Sequence, residues 1–146
     1  MSIITFLSQL NSLDLQPVAR KLMSSSDDYR WTEQQLEMAI LRYKMFLYVK
    51  YHYSHLKLVP TKEIDEVWHA HILVDTERYL QDCQNLYGYI LHHRDSSSTD
   101  EMQSQNQETA FAVTQNLFEE LFGAGVLAVN SQTASSLQIS ACMTLP

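Results

Sequence analysis

Three glycines and three prolines in 146 residues leave this chain short of turn-formers. A sheet of many short strands needs a turn at each strand end, so the scarcity argues for helices joined by few connections. At this length one hydrophobic core can form. The expectation is an all-α fold: a single compact bundle of about five to six helices over residues 1–123. Residues 124–146 then form a tail, weakly structured or packed on that domain.

Local signals place the helices. Ile3, Phe6, Leu7 and Leu10 recur at helical spacing. A kink follows near Asn11 and Ser12, and Asp14 then caps a second piece through Leu22, with Pro17 in its first turn. Residues 24–28 read as a loop. Thr32 and Gln35 form a capping box, and Trp31 with Leu36 occupy staple positions. Behind that cap, Leu36, Ile40, Tyr43 and Leu47 make one apolar stripe, and the helix runs to about Tyr51 or Tyr53. His52 and His55 lie near its end, where the helix dipole favours a partly protonated imidazole; the alternative for both is to reach a metal, although nothing nearby converges on them.

Leu56 to Pro60 is extended, because the residue before proline is pushed out of helical geometry. Thr61 caps the next helix and Asp75 the one after, which Gly88 ends. A polar loop spans 94–100. A long last helix covers about Glu101 to Phe122, with Ala110, Phe111, Thr114, Leu117, Phe118, Leu121 and Phe122 inward and Gly123 as its stop. Beyond it, Val126–Val129 and Leu137–Ile139 suggest a weak hairpin or irregular coil.

The net charge of −7 is dispersed and no basic block exists, which argues against nucleic acid as a partner. The N-terminus has no basic segment or cleavage site, and its apolar residues are interrupted by polar ones. A soluble cytoplasmic protein is expected, with Cys83 and Cys142 as free thiols or ligands and not a disulfide. Phosphate-binding glycine loops, dinucleotide fingerprints and nucleophile elbows are missing.

The chemistry concentrates between Ile64 and His93. Four of the six histidines, His69, His71, His92 and His93, fall there with Cys83, Asp65, Asp75 and Asp82. Imidazole, thiolate and carboxylate are the donors that bind transition metals. On a regular helix of about 100° per residue, Asp65 and His69 share a face, while His69 and His71 point roughly 200° apart. Either one of the two is a ligand, or the helix breaks near Ala70. Ile64, Val67, Trp68 and His71 share a core-facing arc; Asp65, His69 and Ile72 share another.

These residues also carry a resemblance. Leu13–Val18, Lys21–Met23, Tyr43, Phe46–Leu47, Val59–Thr61, Ile64–Asp65, Trp68–Leu73, Tyr79, Asp82–Cys83, Gly88, Leu91–His93 and Leu121–Gly123 are similar to the small bacterial members of the glycine-rich domain-containing protein-like family. The resemblance implies a mainly helical single domain and establishes no activity. Its marked polar positions fall on Asp65, Trp68, His69, His71, Tyr79, Cys83 and His92. The chain departs from the pattern after His93, where Arg94-Asp95-Ser96-Ser97 replaces an aromatic segment with proline and glycine. Its C-terminal end has only Cys142 where relatives are richer in cysteine.

Two functional readings follow. In the first, the protein binds zinc or another divalent transition metal through His69, His71, Cys83 and His92. Asp65, Trp68, Tyr79 and His93 then support that shell or substitute into it. In the second, the same residues form a buried polar network in a non-enzymatic module for an unknown protein partner.

Overall fold

In the computed structural model, residues 2–24, 31–94 and 101–127 are described, 101–104 by their backbone alone. They form six helices and no strand: α1 (Ile3–Asn11), α2 (Gln16–Ser24), α3 (Glu33–His52), α4 (Lys62–Val74), α5 (Thr76–Tyr87) and α6 (Glu101–Phe122). The all-α expectation holds.

The helix ends obey local chemistry. The Thr32 hydroxyl accepts from the Gln35 N–H while the Gln35 side chain accepts from the Thr32 N–H, closing the capping box. Thr61 caps α4 through the Ile64 N–H. Asp75 ends α4 in extended geometry and accepts from the Arg78 N–H to start α5, so one residue turns the chain between two helices. Gly88 ends α5 at φ 77°, a left-handed conformation that other residues adopt only with strain. Ahead of α2, the Asp14 carboxylate accepts from the Gln16 N–H.

Helix α3 is the spine, packed against α1, α2 and α4. The sequence pattern shows one stripe, but burial extends around most of the helix: Ala39, Met45, Phe46 and Val49 are as enclosed as Leu36, Tyr43 and Leu47, and Ile40 only partly so. A helix with neighbours on several sides needs apolar residues beyond a single arc. Arg42 is buried too, and its guanidinium meets Glu63 of α4 at 3.5 Å. Burial lowers its pKa, and Glu63 counteracts that.

On α6 the buried line is narrower than expected. Ala110, Thr114, Phe118 and Phe122 are buried at four-residue intervals, while Phe111, Leu117 and Leu121 are half-buried. The Thr114 hydroxyl accepts from the Val59 N–H at 2.9 Å, pinning the 57–60 connection to α6. Past Gly123, Val126 is fully buried in the core. The expected hairpin lies largely beyond Leu127, and the loop at 94–100 largely beyond Arg94, outside the described residues. So do Cys142 and most of the loop after Met23.

Candidate functional site: a carboxylate and two imidazoles at a basic cleft

Helix α4 is unbroken through Ala70, so the geometry at His69 and His71 is that of a regular helix. The two rings serve different places. Ile64, Val67, Trp68 and His71 all face the core, as their shared arc predicts. His71 Nδ1 lies 2.7 Å from the Tyr43 hydroxyl and Nε2 lies 2.8 Å from Asp82 Oδ2. A carboxylate oxygen accepts, so Nε2 donates to Asp82, and Nδ1 on the other side of the ring is paired with the Tyr43 hydroxyl. This relay ties α3, α4 and α5 together, and burial pushes the Tyr43 phenol well above its ordinary pKa.

A second buried chain runs beside it. Trp68 Nε1 donates to the Tyr79 hydroxyl at 2.9 Å, and that hydroxyl donates to the Leu91 carbonyl. Cys83 is buried next to Tyr79, and burial pushes its thiol pKa up. The Leu91 backbone N–H offsets this only partly. A thiol held protonated is a poor metal ligand.

The Tyr79–Leu91 bond has a consequence two residues on. It anchors the chain leaving α5, and His93 then folds over α4. There His93 Nε2 lies 2.5 Å from Asp65 Oδ1. The other carboxylate oxygen, Oδ2, is 3.7 Å from His69 Nε2, one turn along the helix. The His93 ring stands edge-on between its neighbours, with centroids 4.4 Å from Trp68 and 4.3 Å from His69. Donor atoms of Asp65, His69 and His93 all lie within 4.8 Å of one another. Among the described residues this is the cluster of three or more potential ligands that meets that limit.

Of the residues singled out in the sequence, the structure brings Asp65, His69 and His93 together with Trp68 behind them. His71, Tyr79 and Cys83 lie in the buried hydrogen-bonded layer and contribute no atom to the cluster. His92 is exposed and faces the same cleft without joining it. Tyr43 and Glu63, the partners of His71 and Arg42, and Leu91 carry no motif that spacing could have flagged. His52 meets Tyr48 and Tyr51 edge-on and Tyr53 at a tilt at the end of α3, and contributes no atom to the cluster.

The cluster opens on a cleft of about 680 Å³. Leu58, Val59 and Pro60 form an apolar wall, and Gln107 of α6 lies at its edge. Lys50, Lys57, Lys62 and Arg94 supply its cations. Lys50 donates to the Leu56 carbonyl at 3.4 Å, and burial lowers its pKa.

The fold and the cluster define an all-α bundle with a one-carboxylate, two-imidazole corner beside a basic cleft. Residues 17–77 match the glycine-rich domain-containing protein-like family, a stretch that includes Asp65 and His69 and stops short of His93. The chain is similar to glycine-rich domain-containing proteins 2 and 1 of Arabidopsis thaliana, each 36% identical over 92 residues. Those alignments cover 60% of this chain and 11% of each plant protein, so the chain spans about a tenth of their length. No solved structure matches it significantly. No described helix is long and apolar enough to cross a membrane.

Proposed function

We propose that the chain is a small member of the glycine-rich domain-containing protein-like family, of the bacterial kind its Trp68–Gly88 core resembles, and that it binds a divalent transition metal. Asp65, His69 and His93 are the ligands, and zinc is the ion. The observation that carries this is the convergence of three donors from α4 and the segment after α5 within 4.8 Å at the mouth of a cleft.

The donor set fits. Two imidazoles and one carboxylate are the protein ligands of several catalytic zinc sites, which leave a further position for water or substrate. Zinc bonds of about 2.0–2.1 Å place neighbouring donors of a tetrahedron about 3.3 Å apart. His69 Nε2, at 3.7 Å from Asp65 Oδ2, is near that spacing, while His93 Nε2, which faces the other oxygen Oδ1 at 2.5 Å, must draw back by about 1 Å. A bound zinc would supply Lewis acidity; the chain would hold it through Asp65, His69 and His93, and Trp68 would shield one side. Placement in the cytoplasm suits the free, buried thiol of Cys83.

The competing reading, an interaction module with structural histidines, draws support from His71, whose ring nitrogens both have buried partners. Elemental analysis of untagged protein and zinc titration against a chromogenic chelator separate the two. Metal binding predicts about one equivalent of zinc, lost in Asp65→Ala, His69→Ala and His93→Ala and kept in His92→Ala and Cys83→Ala. Metal-free protein that cannot be loaded, and whose melting is indifferent to chelator, refutes the proposal.

A further inference from the structure

We infer that the cleft beside Asp65 binds a small organic anion, a molecule with a phosphate or carboxylate head and an apolar body. The inference goes beyond the metal reading and does not require it, because the cations that carry it are the protein's own.

The argument is one of charge against background. The chain carries a net −7, yet four of its ten lysines and arginines, Lys50, Lys57, Lys62 and Arg94, line this single concavity. Facing them is one carboxylate, Asp65, so the lining holds four formal positive charges against one negative with the histidines neutral. Solvated surface lysines would be expected to scatter among the acidic residues. Here they converge from four separate parts of the chain: α3, the 57–60 connection, the first turn of α4 and the segment after α5. Among the described residues, neither Lys57 nor Arg94 forms an ion pair with a carboxylate.

Shape narrows the ligand class. Charges of one sign around a low-dielectric wall focus the field into the concavity and raise the local concentration of counter-ions. A volume of about 680 Å³ is that of a small-molecule site, not a groove for an extended polymer. Leu58, Val59 and Pro60 give one side an apolar surface on which a ring or short aliphatic body can lie. The Thr114–Val59 hydrogen bond holds that wall against α6, so the concavity is largely preformed.

The test uses three probes of similar size: phenyl phosphate, benzoate and benzylamine. Binding is followed by amide chemical-shift changes in the full chain, first in excess chelator and then with zinc. The expected result is that one or both anions bind in chelator, with shifts around Lys57, His93 and Arg94, and that benzylamine binds roughly tenfold or more weakly. Phenyl phosphate against benzoate tells which head group is preferred. The exposed-site variant K57E/R94E weakens the anion roughly tenfold or more. R20E/K21E, carrying the same charge change on exposed α2 positions, leaves it unchanged. Equal binding of benzylamine, no binding of either anion, or equal loss in both variants overturns the inference. Anion binding that requires zinc and ignores K57E/R94E overturns it too, and leaves the metal proposal standing. Anion binding in a protein that never takes up zinc sustains the inference and ends the metal proposal.

Discussion

Replacing Tyr79 by phenylalanine removes a single oxygen on which two buried groups depend. Trp68 Nε1 loses its acceptor and the Leu91 carbonyl its donor, and both residues are buried. Each buried polar group left without a partner costs about 1–3 kcal/mol, and the loss of the two together is about 2–4 kcal/mol because the ring still fills its space. For a chain of this size about 2–4 °C of melting temperature accompanies each kcal/mol, so the expected fall is roughly 5–15 °C. Urea unfolding followed by circular dichroism gives the free energy directly. The same bond anchors the segment that carries His93 onto Asp65. Zinc affinity should therefore drop about tenfold or more, as it does when the groups orienting a ligand are lost. Tyr43→Phe is the comparison: it leaves His71 Nδ1 unpartnered in the core and costs about 1–3 kcal/mol, yet touches nothing near Asp65. A Tyr79→Phe protein within about 1 kcal/mol of wild type refutes the energetic reasoning. Equal zinc affinity in Tyr79→Phe and Tyr43→Phe refutes the claim that Tyr79 positions His93.

Thr114→Val keeps the side-chain shape and leaves the buried Val59 N–H without its acceptor, which should cost about 1–3 kcal/mol by urea unfolding, with Thr114→Ser restoring most of it. Because burial raises the Cys83 thiol, the folded state holds its proton at pH values where the unfolded chain has lost it. Cys83 thus contributes stability that is complete below about pH 8.5 and declines as pH rises above it. The buried phenols Tyr43, Tyr79 and Tyr87 are shifted the same way and extend the decline above about pH 10. Melting temperature against pH should fall through this range. Cys83→Ala should remove the portion of the fall that begins near pH 8.5, and an unchanged profile in that variant refutes the assignment.

Much of the helical framework was legible because helix ends are settled within a few residues. Thr32 with Gln35, Thr61 with the Ile64 N–H, and Asp75 with the Arg78 N–H are contacts three residues apart in the chain. Gly88 supplies its own backbone freedom. The opposition of His69 and His71 was also legible, since it follows from helix pitch alone. What spacing could not show was the depth of burial around α3. Arg42, in the same helix as the apolar stripe, is enclosed because α4 brings Glu63 to it from 21 positions away.

The sequence by itself determined the number and limits of most helices, the direction each histidine of α4 takes, and the concentration of ligand-bearing side chains between Asp65 and His93. Only the tertiary structure decided their partners. His71 meets Tyr43 from 28 residues away, and His93 instead of His92 reaches Asp65 because the Tyr79 hydroxyl holds Leu91 two residues earlier. The physical reason is range: a cap is a contact within one turn, whereas the choice between adjacent imidazoles rests on how α4, α5 and the chain beyond Gly88 pack against one another.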